Sequence, residues 1–62
     1  MKGVTVKLAL PDAQALALAQ FVKRVGWTEI RANAADNYEA DLMRDAIAHL
    51  QRQLAEAGYA PR

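Results

Sequence analysis

Residues 3–11 of the chain are Gly3-Val4-Thr5-Val6-Lys7-Leu8-Ala9-Leu10-Pro11. Apolar side chains occupy every second position from Val4 to Leu10, which is the period of a half-buried β-strand. Proline lacks the amide hydrogen that a β-ladder needs, and its fixed φ suits the first turn of a helix. The sequence therefore predicts one amino-terminal strand that ends at Pro11 and is followed directly by a helix.

The first predicted helix covers residues 11–25. Apolar side chains recur along it at helical spacing, and they form one stripe of Ala15, Leu18, Phe21, Val22 and Val25. Leu16 lies off this stripe, so it is either a lone exposed leucine or a contact for a partner. Gly26 is expected to end the helix, since glycine is the usual residue just past a helix end.

The residues after Gly26 predict two further helix starts. Thr28 can cap a short helix, because its hydroxyl can accept a hydrogen bond from a free amide of the first turn. Asp36 and Glu39 have the three-residue spacing of a capping box. The sequence therefore predicts that a second long helix begins at this point.

The second long helix is predicted over residues 37–57. Its apolar stripe contains Leu42, Met43, Ala46, Ile47, Leu50 and Leu54. Gly58 is expected to adopt the left-handed conformation that ends a helix, with Tyr59 folding back onto Leu54.

The predicted strand has no partner within its own chain. An unpaired strand leaves a row of backbone amides and carbonyls without hydrogen bonds, and a chain of this length buries only about 60% of its unfolded surface. We therefore expect residues 1–62 to form a single α+β domain, mostly α, whose strand pairs antiparallel with that of a second copy across a two-fold axis. The predicted homodimer interface consists of Val4, Val6, Leu8 and Leu10.

Composition restricts the functional class. Eight Lys and Arg residues stand against seven Asp and Glu, and the resulting net charge of +1 argues against a protein that coats nucleic acid or an anionic membrane. The chain begins with alternating apolar and polar residues, unlike a signal peptide, and it contains no apolar run long enough to cross a bilayer. We therefore expect a cytoplasmic protein with no membrane partner.

The residues that usually carry catalysis are scarce. There is no cysteine and only one histidine, His49, and there is no phosphate-binding loop or metal-binding spacing. His49 follows Asp45 by one helical turn, which is the spacing of a surface pair. We therefore predict that the protein is not an enzyme and that it has no catalytic residue, metal, cofactor or small-molecule substrate.

A strand that ends in Leu10-Pro11 and is followed by a helix, a glycine-containing turn and a second helix resembles the ribbon–helix–helix family of small bacterial DNA-binding dimers. The resemblance implies double-stranded DNA as a partner and a role in transcription regulation. In that family the paired strands enter the major groove, and Thr5 and Lys7 would face it here. Phosphate contacts would come from the remaining basic residues of the first half, which are Lys2, Lys23, Arg24 and Arg31.

The whole chain also looks like a family of short uncharacterised bacterial proteins, through residues 26–32, 43–46 and 55–62. This likeness implies no activity. The alternative to DNA binding is a non-enzymatic accessory or inhibitor that binds another protein through its helix surfaces, including Leu16. Its acidic residues Asp36, Glu39, Asp41 and Asp45 either compensate the dipole of the long helix or attract a basic partner.

Overall fold

The computed structural model describes residues 3–60, and this part of the chain folds into three α-helices. Helix α1 spans Asp12–Arg24, α2 spans Trp27–Ala32 and α3 spans Asn37–Glu56. Helix α3 packs against both α1 and α2 and is the central element of the fold. The first half of α3 lies beside the end of α1, so these two helices run in opposite directions.

The predicted amino-terminal strand is absent. Within residues 3–60 the chain contains helices and loops but no strand, so the predicted α+β, ribbon–helix–helix-like fold is wrong and the described chain is all helical. The end of the amino-terminal segment, from Val6 to Leu10, lies beside the start of α1 and the end of α3, near Leu18 and Leu54. Alternation shows which side chains share a face, but a β-ladder also needs a neighbouring strand to accept and donate its hydrogen bonds. Residues 3–60 contain no such strand, so the predicted antiparallel strand pairing across a dimer is wrong as well.

Helix α1 begins and ends within one residue of the predicted positions. Pro11 occupies the amino-terminal cap position, and Asp12 follows in the first turn. Lys23 and Arg24 lie in the last turn. These charges are opposite in sign to the partial charges at the two helix ends. They therefore stabilise the helix between the predicted ends.

Helix α2 begins at Trp27, one residue before the predicted capping residue Thr28. The free amide of Gly26 donates a hydrogen bond of 2.8 Å to Oε1 of Glu29. The carboxylate of Glu29 therefore stabilises the start of this short helix, and it does so from the third helical position.

The turn into α3 has the cap that the sequence predicts. Oδ1 of Asp36 accepts a hydrogen bond of 2.8 Å from the amide of Glu39, and Oε1 of Glu39 accepts one of 2.7 Å from the amide of Ala35. Arg31 closes the same turn, since its Nε donates to Oδ1 of Asn37 at 2.6 Å. Side-chain hydrogen bonds therefore hold the turn between α2 and α3.

The end of α3 confirms the predicted role of Gly58. This residue has φ of 101°, and the amide of Tyr59 donates a hydrogen bond of 2.8 Å to the carbonyl of Leu54. The amide of Gly58 donates to the carbonyl of Ala55 at 3.0 Å, which completes a Schellman motif. The hydroxyl of Tyr59 donates a hydrogen bond to the carboxylate of Asp12, so this motif also links the end of α3 to the start of α1.

The core is built mainly from small residues. The buried side chains of the described chain are Ala15, Ala19, Val22, Ile30 and Ala40. Alanine contributes only one methyl group, so the helices can pack closely while larger side chains remain at the edges of the contact. Phe21 and Leu42, which were predicted in the apolar stripes, are 60% and 51% exposed, and that part of the core prediction is wrong. The resulting molecule is flat, with extents of 34 × 29 × 16 Å.

Candidate protein-interaction surface

An open apolar groove lies where the end of α1 meets α2 and the first half of α3. Val25, Ile30, Met43 and Ile47 line it, and all four are at least half-buried. Phe21 on α1 also lines the groove and leaves 60% of its surface in solvent. We call these five residues the helix groove. A concave apolar surface beside an exposed aromatic ring is typical of protein interfaces, where aromatic side chains serve as anchors.

The helix groove is bordered by side chains of both charges. Arg24, in the last turn of α1, and Glu29, in α2, both line it. Arg24 forms no ion pair within residues 3–60. One oxygen of Glu29 accepts the amide of Gly26, but a carboxylate has further lone pairs with which to accept from a partner.

A second apolar surface lies at the opposite end of the helix pair. Val6, Leu8 and Leu10 of the amino-terminal segment line it together with Leu18 and Leu54. Leu10 is half-buried, whereas Val6 and Leu8 are exposed. The segment therefore covers this end of α1 and α3 only partly.

Trp27 forms a cation–π contact at the start of α2. The guanidinium carbon of Arg44 lies 5.3 Å from the centroid of the indole ring. Arg44 also forms an ion pair of 3.1 Å with Asp41, and both of these side chains are largely exposed. The ring is therefore held against α3 at the surface, with 44% of the residue exposed.

The residues predicted to contact DNA do not form one cluster on the described chain. Lys2 lies outside the described residues. Thr5 and Lys7 are exposed on the amino-terminal segment, while Lys23 and Arg24 are exposed in the last turn of α1. These two pairs lie on separate elements.

Arg31, the remaining residue predicted to contact phosphate, is half-buried. Its Nη1 donates a hydrogen bond of 3.1 Å to the carbonyl of Ala34, in addition to its bond with Asn37. Arg31 therefore already has partners in the turn between α2 and α3.

The predicted interface residues Val4, Val6 and Leu8 are all exposed, and Leu10 is half-buried against the helices. The helix groove was not identified as a site from the sequence. A signal for it was present, because Phe21 and Val25 are four positions apart in the sequence, the spacing of neighbours on one helix face. The spacing of these two residues does not give the position of α2, which forms another wall of the groove.

The ionisable groups of the described chain do not gather into a metal site, since no group of three His, Cys, Asp or Glu residues lies close enough within residues 3–60. The pKa of Tyr59 is raised above its ordinary value, first because its hydroxyl donates a hydrogen bond to Asp12, and also through desolvation and the negative charge of Asp12. This pair joins the helix ends and lies outside the helix groove. None of the helices in the described part is long and apolar enough to cross a membrane.

These features define a small all-helical protein whose large apolar side chains border an open groove. A family of unknown function (DUF7706) matches residues 1–62, and the chain belongs to this family. The match confirms the predicted likeness of the whole chain to a family without an assigned activity, whereas the ribbon–helix–helix resemblance is not supported. No curated protein and no solved structure matches the chain.

Proposed function

We propose that this protein is a non-enzymatic protein-binding module, an accessory or inhibitor that contacts its partner through helix surfaces. The observation that supports this proposal is the distribution of its apolar side chains. Within residues 3–60 no large side chain is fully buried, while Phe21, Leu42 and Tyr38 are 60%, 51% and 72% exposed. Large exposed apolar side chains, with Phe21 beside an apolar groove, are typical of sites where proteins bind one another.

The helix groove is the surface best suited to this role. Burying a phenylalanine side chain removes apolar area from water and stabilises a complex by about 1.5–3 kcal/mol. Ile30, Met43 and Ile47 supply a fixed apolar floor, because each belongs to a helix that already packs in the fold. The groove can therefore bind a partner without first having to order a loop.

DNA binding remains a prediction of the sequence, and the charges near α3 favour protein binding over it. Asp36, Glu39 and Asp41 lie at the start of α3 and would repel a phosphate approaching that helix end. Arg31 already has hydrogen-bond partners in the adjacent turn.

Photo-crosslinking in cells that naturally produce the protein tests the proposal. A photoreactive phenylalanine analogue replaces Phe21 in one version of the chain, and it replaces Arg52, an exposed polar position on α3, in the control. The expected result is a discrete crosslinked protein band from position 21 and none from position 52. Mass spectrometry then identifies the protein in the band.

The same preparations are assayed for DNA binding by filter retention at low and at physiological salt. Crosslinking to protein together with no salt-sensitive retention of DNA supports the proposal. Salt-sensitive DNA retention that is lost in Lys7→Ala, with no protein crosslinked from position 21, would show that the protein acts on DNA instead.

A further inference from the structure

We infer that the partner covering the helix groove is a second copy of this chain, docked about a two-fold axis. This inference rests on the proposed function and names its partner. Four observations carry it, which are the surface area that the chain leaves exposed, the flat shape of the molecule, the shape of the groove and the charges at its border.

The exposed area is larger than a monomer of this mass normally has. The 6.8 kDa chain exposes 5214 Å², whereas a folded monomer of that mass exposes about 3,950 Å². The excess is roughly 1,250 Å², and a protein–protein interface of standard size covers about 800 Å² on each partner. Contact with one additional copy is therefore large enough to cover much of the excess, to which the exposed amino-terminal segment also contributes.

The shape of the molecule agrees with this area. Its radius of gyration is 12.5 Å, whereas a compact domain of this length has about 10.6 Å. The smallest extent is 16 Å, so the three helices form a single layer with open faces. A second copy placed against the groove would give the second layer that a folded domain normally has.

The helix groove is complementary to itself. A two-fold interface brings the same patch of both copies together, so it must contain both a projecting group and a hollow that receives it. Phe21 projects at the edge of the groove, and Ile30, Met43 and Ile47 line the hollow. In the dimer, Phe21 of each copy packs into the groove of the other.

The border charges also match under the two-fold operation. Arg24 and Glu29 both line the groove, so a two-fold axis that passes between them places Arg24 of one copy opposite Glu29 of the other, and the reverse contact forms at the same time. The net charge of +1 per chain leaves little overall repulsion between copies.

Analytical ultracentrifugation of the purified full chain provides the first test. We expect the wild type to dimerise in the micromolar range and Phe21→Ala to raise the dissociation constant about 30-fold or more, as for a buried aromatic anchor. Leu16→Ala is the matched control, since Leu16 is exposed on α1 but does not line the groove. Circular dichroism of each variant verifies that the helices are formed.

A charge-exchange experiment provides the second test. Arg24→Glu alone and Glu29→Arg alone place like charges opposite each other in their own homodimers, so both variants are expected to be mainly monomeric. When the two variants are mixed, both contacts again join opposite charges, so heterodimers are expected to form. Failure of the mixture to associate any better than either variant alone would overturn the proposed docking.

Failure of this inference can be separated from failure of the proposed function. A wild type that stays monomeric at high concentration, while position 21 crosslinks to a different protein in cells, overturns the self-association and leaves the protein-binding role supported. A monomer that crosslinks to no protein at position 21 overturns both.

Discussion

At Gly58 the backbone has φ of 101°, a conformation that side chains with a Cβ rarely adopt. Replacing Gly58 with alanine is expected to lower the free energy of unfolding by about 1–2 kcal/mol, because alanine is strained in the left-handed region. Urea denaturation followed by circular dichroism measures this change. Gly3→Ala is the control, since Gly3 has open space around it and no positive φ, and an equal loss in both variants would contradict the assignment.

The hydrogen bond between Tyr59 and Asp12 predicts a pH dependence. Because the folded state raises the pKa of Tyr59 above its ordinary value of 10.0, its stabilising effect is fully present below pH 10.0 and is lost as the pH rises through the raised pKa. Ultraviolet titration of tyrosinate in a Tyr38→Phe background isolates Tyr59. Asp12→Ala is expected to lower the measured pKa, and an unchanged titration curve would show that the hydrogen bond does not form.

Residue-level features with local causes were predictable from the sequence. The caps at Asp36 and Gly58 depend on backbone groups only a few residues away, so the order of residue types was sufficient to find them. Thr28 was assigned the wrong role because Glu29 competes for the same helix start and reaches the amide of Gly26. The link between Tyr59 and Asp12 spans 47 positions, and no local pattern indicates it.

At the scale of the elements, the amino-terminal cap of α3 predicts the effect of a substitution on stability. Asp36→Ala removes the acceptor for the amide of Glu39 and is expected to lower the free energy of unfolding by about 1 kcal/mol. Asp45→Ala is the matched control, because Asp45 is an exposed acidic residue in the interior of the same helix. Chemical denaturation of both variants measures the difference. Equal free energies of unfolding for the two variants would mean that Asp36 stabilises the helix only through its negative charge.

The two long helices were predicted closely and the amino-terminal strand was not. Helical periodicity and end signals are properties of a continuous segment, and they located α1 and α3 to within one residue. A strand depends on hydrogen bonds to a second segment, and alternation between Val4 and Leu10 contains no information about such a neighbour. The ribbon–helix–helix resemblance depended on the same segment, so the fold that it implied was wrong for the same reason.

At the scale of the whole molecule, the most deeply buried side chains are small. The apolar stripes of α1 and α3 were only partly right, because they omitted Ala19 and Ala40 and are not covered over their full width by the neighbouring helices. Ala19 and Ala40 occupy the centre of the packing, at 1% and 0% exposure, and Phe21 and Leu42 are left at its edges. Sequence periodicity gives the direction of a helix face but not the width that its neighbours cover. The helix groove is formed by the apolar side chains that the neighbouring helices do not fully cover.

Hydroxyl-radical footprinting of Met43 tests most directly whether a second copy covers the helix groove. Met43 lines the groove and Tyr38 is 72% exposed outside it, and trypsin releases both residues in one peptide, so Tyr38 normalises the radical dose. We predict that oxidation of Met43 relative to Tyr38 falls severalfold between low micromolar and near-millimolar protein. A constant ratio across that range would contradict the account.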